Sequence, residues 1–196
     1  EPSKMDRIRQ PFWQTDTAVS TNSWGYVKND VYKPVNRLVD DFVDIVSKNG
    51  CLLLNIGPKP DGTIPEHEQQ MLREIGRWLD VNGQAIYGTR PWKQYGEGPT
   101  GTATGHLSEN KNKAFTAQDI RFTTKNDELY AIVLDWPEGN ELVIKSLSLD
   151  GGLTVEGVML LGSDAVIAWE QTDSGLQVRL PVQKPCEHAF VLKIEQ

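Results

Sequence analysis

The first half of the chain carries apolar residues at two different spacings. Between residues 33 and 50 they recur at the spacing of an amphipathic helix, at Val35, Leu38, Val39, Phe42, Val43 and Val46. Residues 51–56 form a short apolar run without alternation, bounded by glycine residues, which is typical of a strand buried on both faces. Residues 65–83 return to helical spacing. The order helix, strand, helix predicts one unit of a parallel α/β domain.

Polar residues in this half raise two expectations. Asp40, Asp41 and Asp44 lie together on the first helix, where we expect them to form its solvated face. Asn55 ends the apolar strand, at the edge where parallel α/β proteins place their chemistry. Its amide can stabilise the following turn or reach into a pocket.

The second half of the chain consists of short apolar runs with turn signals between them. There are seven such runs, at residues 120–124, 129–134, 142–147, 153–160, 165–169, 176–180 and 188–194. Seven short strands separated by turns predict an antiparallel β-sandwich. Residues 95–112 are rich in Gly, Thr, Ser and Asn, which indicates a linker or long loop before it.

One clear strand and two or three helices cannot complete an α/β domain, because the strand would keep bare apolar faces and unpaired edges. We therefore expect the chain to be the C-terminal piece of something larger. The expected division is residues 1–93 for the end of the α/β domain, 94–118 for a linker leading into the sandwich, and 119–196 for the sandwich itself.

Charge and composition exclude several classes of partner. The chain has 196 residues and a net charge of −7 with no basic run, which argues against binding to nucleic acid or to an anionic membrane. No apolar stretch approaches the length of a membrane span, and the first residues lack the apolar core of a signal peptide. Cys51 and Cys186 are too few for a disulfide framework and are interpreted as free thiols. His67, His106 and His188 are not spaced as metal ligands, so we expect no metal and no cofactor.

Several motifs in the first half carry a resemblance to a known family. They are residues 11–17 (PFWQTDT), 23–26 (SWGY), 38–40 (LVD), 43–50 (VDIVSKNG), 52–58 (LLLNIGP) with 61–62 (DG), and 76–79 (GRWL) with 82–87 (NGQAIY). In this order they resemble the α-L-fucosidases of glycoside hydrolase family 29, whereas the sandwich half matches that family only in kind. The resemblance implies the C-terminal part of a (β/α)8-like barrel at residues 1–93, followed by an antiparallel β-sandwich.

The resemblance also implies a reaction and its partners. Family members are retaining enzymes that hydrolyse terminal α-linked L-fucose by double displacement, with an Asp nucleophile and a Glu acid/base. The nucleophile lies upstream of the region that matches Trp13, so this chain has no counterpart and is expected to be inactive alone. We expect a fucosylated glycan as substrate, and the remaining barrel portion or another subunit as partner. The resemblance favours a secreted, periplasmic or lysosomal-type compartment.

Five residues are site candidates through this resemblance. Glu1 matches a glutamate that serves some members as the acid/base; alternatively it is a solvated residue at the end of the chain. Trp24 lies where an aromatic ring of the family lines the fucose pocket, or it covers the barrel rim. Trp13 and Asp16 share a motif and contact substrate or support the rim. Asn55 is expected just behind the substrate contacts.

A second hypothesis is a carbohydrate-binding or structural β-sandwich module without activity of its own. Trp136 and Trp169 would be its candidate aromatic platforms, although a tryptophan in a strand is more often part of the core. The sequence provides no cluster of aromatic residues in this half. The enzyme hypothesis therefore ranks first.

Overall fold

A computed structural model describes residues 5–101 and 113–196. The two helices are α1 (Val35–Ser47) and α2 (Glu66–Asn82). The strands are β1 (Trp13–Ala18), β2 (Gly50–Asn55), β3 (Arg90–Glu97), β4 (Ile120–Lys125), β5 (Glu128–Val133), β6 (Glu141–Ile144), β7 (Gly157–Leu160), β8 (Ala168–Thr172), β9 (Gly175–Arg179) and β10 (Phe190–Glu195). Within these described residues no helix has the length and apolarity needed to cross a membrane.

The first part of the chain has the predicted helix, strand, helix order and one additional strand. Both helices and β2 are confirmed close to their predicted bounds. β1 pairs with β2 in parallel, from Trp13 opposite Gly50 to Ala18 opposite Asn55. The sequence pattern missed β1 because its residues WQTDTA are mostly polar and contain no apolar run. Trp13 and Asp16 therefore lie on a strand.

The two faces of β2 differ in burial. Leu54 packs against the apolar cluster that contains Leu38 and Met71 of the helices. Leu53, on the opposite face, is 57% exposed. The expectation that this strand is buried on both faces is wrong for the described residues, because the helices cover only one of them.

The second part is a sandwich of two antiparallel sheets, as predicted. One sheet has five strands in the order β3-β4-β5-β10-β7, and the other has three in the order β6-β9-β8. Each of the seven predicted runs overlaps one of the strands β4 to β10. β3 was not predicted. Its register with β4 shifts between Pro91 and Gly96, and this irregularity interrupts the alternation of residues by which a strand is recognised in sequence. Because β3 spans residues 90–97, it crosses the expected boundary at residue 93, and the domain division stays a prediction.

The five-stranded sheet is covered on both faces. Along β5, Leu129, Ala131 and Val133 face the core of the sandwich, whereas Tyr130 and Ile132 face a second apolar cluster. That second cluster includes residues of both helices, among them Val43 and Trp78. The Trp78 indole Nε1 also donates a hydrogen bond to the Ala189 carbonyl oxygen at 2.7 Å. The chain therefore has three layers, with the helices packed on the outer face of the sandwich.

This packing overturns the expectation that Asp40, Asp41 and Asp44 form a solvated face of α1. All three side chains are buried. The Asp44 Oδ1 atom accepts a hydrogen bond from Arg121 Nε at 2.6 Å, and its Oδ2 atom accepts one from Lys48 Nζ at 2.7 Å. Asp44 is thus directed at the sandwich, where Arg121 on β4 compensates its charge.

Candidate functional site

The candidate site is the edge where β1 and β2 end. Because the two strands are parallel, their carboxyl ends meet, with Ala18 opposite Asn55. Residues 19–33 then form the Trp24 loop, which leads to α1, and residues 56–65 lead to α2. Loops at the carboxyl ends of parallel strands supply the active sites of α/β proteins. The position of Asn55 at the end of the apolar run predicted this same edge.

The Trp24 loop is closed at its neck by backbone hydrogen bonds. The Thr21 amide donates to the Val31 carbonyl at 2.9 Å, and the Lys33 amide donates to the Val19 carbonyl at 2.9 Å. Further along the loop, the Ser20 hydroxyl oxygen accepts hydrogen bonds from two backbone amides, those of residues 22 and 23. These hydrogen bonds give the loop a hairpin-like shape. Trp24 lies on this loop with 50% of its surface exposed.

Asn55 lies beneath this loop. Its Nδ2 atom donates a hydrogen bond to the Trp24 carbonyl oxygen at 2.7 Å. A Cβ atom added at Gly57 would lie 3.0 Å from the Tyr26 nitrogen and 3.1 Å from the Gly25 carbonyl carbon, so the loop backbone rests directly on Gly57. The end of β2 thus fixes the position of the backbone that carries Trp24.

Trp13 lies at the other end of the strand pair. Its Nε1 atom donates a hydrogen bond to the Lys48 carbonyl oxygen at 2.9 Å, just after the end of α1. The six residues of β1 separate it from the loop edge, a length of about 16 Å at the usual rise of a strand. The structure therefore does not bring Trp13 and Trp24 together, although both were predicted as substrate contacts.

Asp16 lies on the face of the strand pair that is directed away from the helices. It pairs with Leu53 and shares this face with Gln14, two residues earlier, whose Oε1 atom lies 3.7 Å from the Cys51 Sγ atom. Asp16 is half-buried and precedes the end of β1 by two residues. It is directed to the same side as Asn55, below the Trp24 loop. Glu1, the candidate acid/base, lies outside the described residues.

Glu68 is a residue of this region that was not among the candidates predicted from sequence. Its Oε2 atom accepts a hydrogen bond from the Gly57 amide at 2.9 Å, and its Oε1 atom accepts one from the Tyr32 hydroxyl at 3.3 Å. Burial and the neighbouring Glu68 carboxylate raise the pKa of Tyr32. The sequence did carry a signal, because Glu68 occupies the apolar stripe of α2 that continues through Met71 and Ile75.

The two tryptophans proposed as platforms of the sandwich are engaged in its core. The Trp136 Nε1 atom donates to Asn140 Oδ1 at 2.7 Å, and its ring meets the Phe190 ring edge-on at a centroid distance of 4.6 Å. Trp169 packs against the same core and is half-buried. Neither ring is presented to a ligand as openly as that of Trp24.

A cavity of about 840 Å³ lies between the two parts of the chain. Its walls include Phe12, Cys51, Tyr87 and Trp92. Since Cys51 lies near the amino end of β2, this cavity is at the opposite end of the strand pair from Trp24. It is therefore not part of the candidate site.

Two family models match most of the chain. The model described as "Alpha-L-fucosidase" matches residues 1–84, and the one described as "Alpha-L-fucosidase C-terminal domain" matches residues 112–195. The two matches fall on the two parts of the fold that the structure describes. They agree with the order of domains that the sequence analysis expected.

Individual relatives give the same result. The chain is 32% identical over 191 residues to an alpha-L-fucosidase of Branchiostoma floridae, covering 93% of this chain and 38% of the relative. It is 32% identical over 190 residues to the tissue alpha-L-fucosidase of Mus musculus, with the same coverage of both proteins. The crystal structure of the Thermotoga maritima alpha-fucosidase in complex with fucose matches with a TM-score of 0.75 and 30% identity, over 95% of this chain and 40% of that chain. The chain thus spans about two fifths of the length of these relatives.

Proposed function

Because the chain belongs to the α-L-fucosidase family as a C-terminal portion, we propose that it forms the closing part of the barrel of a retaining α-L-fucosidase, with its appended β-sandwich. The substrate class is a glycan with terminal α-linked L-fucose. The reaction is a double displacement, in which a carboxylate attacks the anomeric carbon and a second carboxyl group protonates the leaving oxygen.

One observation carries the site assignment, namely the presentation of Trp24. Its ring is half exposed and stands at the carboxyl ends of two parallel strands, on a loop that Asn55 and Gly57 fix from below. Fucose is a deoxy sugar with a methyl group, so it offers an apolar surface on which an indole ring can pack. Trp24 is accordingly the proposed substrate contact.

The other candidates take supporting places around Trp24. Asp16 is directed to the same side of the strand pair as Asn55, where its carboxylate can orient a neighbouring group. Asn55 acts on the substrate through the Trp24 backbone that it holds. Trp13 supports the far end of the strand pair, through its hydrogen bond to the Lys48 carbonyl.

The catalytic pair requires residues beyond the described part of this chain. Retaining glycosidases place their two carboxyl groups about 5 Å apart. In the proposed enzyme the Asp nucleophile belongs to a portion of the barrel that this chain does not include, and Glu1 is the candidate acid/base. The chain alone is therefore expected not to turn over a fucoside.

The sandwich has a proposed supporting role. Its five-stranded sheet contacts both helices of the barrel part through the cluster that includes Trp78, and through the ion pair between Asp44 and Arg121. These contacts favour a rigid attachment over an independently mobile glycan-binding module. The engaged rings of Trp136 and Trp169 support the same conclusion.

The test uses this chain and the longer protein that includes the residues encoded before Glu1. We expect the longer protein to hydrolyse an aryl α-L-fucoside and the isolated chain not to. In the longer protein, Trp24→Ala should raise KM about tenfold through loss of the ring contact. Tyr87→Ala is the matched control, because Tyr87 is also exposed but lies at the cavity on the opposite side. Strong turnover by the isolated chain, or an unchanged KM in Trp24→Ala, would contradict the proposal.

A further inference from the structure

We propose that Glu68 is a positioning residue that holds the Trp24 loop in its place over the site. This inference deepens the proposed function and rests on it, since it concerns how Trp24 is presented to substrate. It is carried by two contacts of one buried carboxylate, one at the floor of the loop and one at its neck.

The first contact holds the floor of the loop. The Gly57 amide donates to Glu68 Oε2 at 2.9 Å, and this hydrogen bond is buried. The backbone of Gly25 and Tyr26 lies against Gly57 closely enough that a Cβ atom there would meet it at 3.0–3.1 Å. A shift of Gly57 would therefore be passed directly to the residues that follow Trp24.

The second contact holds the neck of the loop. The Tyr32 hydroxyl donates to Glu68 Oε1 at 3.3 Å, and the Tyr32 backbone forms an isolated bridge with Ser20 on the opposite side of the neck. The Tyr32 ring also packs against the His67 ring, with 4.7 Å between centroids. The same carboxylate thus contacts Gly57 at the floor of the Trp24 loop and Tyr32 at its neck.

The environment of Glu68 indicates a specific role rather than general support of α2. Glu66 and Glu68 both lie in the first turn of the helix, where a negative charge is favourable. Glu66 is exposed, whereas Glu68 is 2% exposed. Burial of a carboxylate is costly unless hydrogen bonds compensate it, and here both oxygens accept one. The loop contacts are the compensation, so the carboxylate and the loop stabilise each other.

The first experiment measures hydrogen exchange in this chain with Glu68→Ala, Glu68→Gln and the control Glu66→Ala. In Glu68→Ala we expect the amides of Gly57 and of the Trp24 loop to exchange about tenfold faster, while those of β5 and β10 keep their rates. Glu68→Gln should restore much of the protection, because its amide oxygen can accept from Gly57 and its NH2 group can donate to Tyr32. Unchanged loop exchange in Glu68→Ala, or equal acceleration throughout the sandwich, would overturn the proposal.

The second experiment uses the longer protein and asks whether Glu68 acts through Trp24. We expect Glu68→Ala to raise KM for an aryl α-L-fucoside with a smaller effect on kcat, and Glu68→Ala combined with Trp24→Ala to be no worse than Trp24→Ala alone. Independent, multiplying effects would refute the positioning role. If Trp24→Ala leaves KM unchanged, the proposed function fails. The hydrogen-exchange experiment still tests, independently, whether Glu68 fixes the position of the loop.

Discussion

The Asp44 carboxylate is the centre of a buried group of charges between the two parts of the chain. It pairs with Lys48, which directly follows α1, and with Arg121 of β4. All three side chains are at most 2% exposed. The Lys48 ammonium lies 4.6 Å from the centroid of the Tyr95 ring, and the Arg121 guanidinium lies 5.0 Å from that of Phe115. The Asp44 carboxylate and the aromatic faces therefore both compensate these cations.

Removal of that carboxylate should be strongly destabilising. Asp44→Asn removes the charged carboxylate that both Lys48 and Arg121 contact in this buried group, and loss of one member of a buried pair costs about 3–5 kcal/mol. The measurement is urea unfolding of this chain, with Asp80→Asn as control because Asp80 is exposed. The control should stay within about 0.5 kcal/mol of the original chain. A loss below about 1 kcal/mol in Asp44→Asn would contradict this account.

The same carboxylate predicts how stability changes with pH. Burial alone would raise the pKa of Asp44, but the positive charges of Arg121 and Lys48 outweigh it and hold the pKa below its ordinary value. The stabilisation is thus complete above the unfolded-state pKa of about 3.9 and is lost as pH falls through the lower folded-state pKa. The stability difference between the original chain and Asp44→Asn should shrink over that acidic window. A difference that stays constant there would exclude Asp44 as the titrating group.

At the scale of elements, the junction of α1 and β2 is a tight turn. Asn49 takes a left-handed conformation with φ of 71°, and Gly50 begins the strand immediately afterwards. A Cβ atom on Gly50 would lie 2.6 Å from the Trp13 ring and 2.9 Å from Ile45 Cγ2. The absence of a side chain at Gly50 therefore allows β1 to pair with β2 beneath α1.

Two glycine substitutions should consequently have opposite effects on stability. Gly50→Ala should destabilise the chain by about 1–3 kcal/mol, because the Trp13 ring must move. Gly76→Ala should stabilise it by about 0.5–1 kcal/mol, because Gly76 lies inside α2 with open space around its Cβ position. Chemical unfolding of both variants provides the comparison. A neutral Gly50→Ala would show that Trp13 does not constrain the junction.

At the scale of the whole molecule, the residue at which the sandwich domain begins determines whether that domain can fold independently. β3 forms one edge of the five-stranded sheet, and the Trp92 ring meets the Phe122 ring at a centroid distance of 5.0 Å. The expected boundary at residue 93 would separate these two rings. We propose that the sandwich begins with β3, near residue 90.

Two fragments test this boundary. A fragment of residues 88–196 retains β3, whereas one of residues 94–196 loses Trp92, a loss that we expect to cost about 3 kcal/mol by analogy with truncation of a core tryptophan. Thermal unfolding followed by near-ultraviolet circular dichroism compares them. Both should be less stable than the complete chain, since both lose the helices that cover Tyr130 and Ile132. Equal stability of the two fragments would instead support the boundary at residue 93.

The sequence predicted those parts of the fold that local spacing encodes. The period of α1 and α2, the apolar run of β2 and the turn-separated runs of the sandwich depend on neighbours within a few residues. β1 and β3 escaped prediction because long-range pairing forms them, despite the polar residues of β1 and the irregular register of β3. At the site, the motifs selected Trp24 and Asn55, and the structure joins them through one hydrogen bond.

The sequence by itself determined the family, the order of α/β part and sandwich, and the edge of the sheet where the site is proposed. The tertiary structure decided what each polar residue contacts. Asp44 and Arg121 are 77 residues apart in the chain, and Glu68 reaches Tyr32 across 36. Burial and pairing over such separations have no local signature. The sequence around a carboxylate on a helix is the same whether that carboxylate is solvated by water or paired with a distant cation.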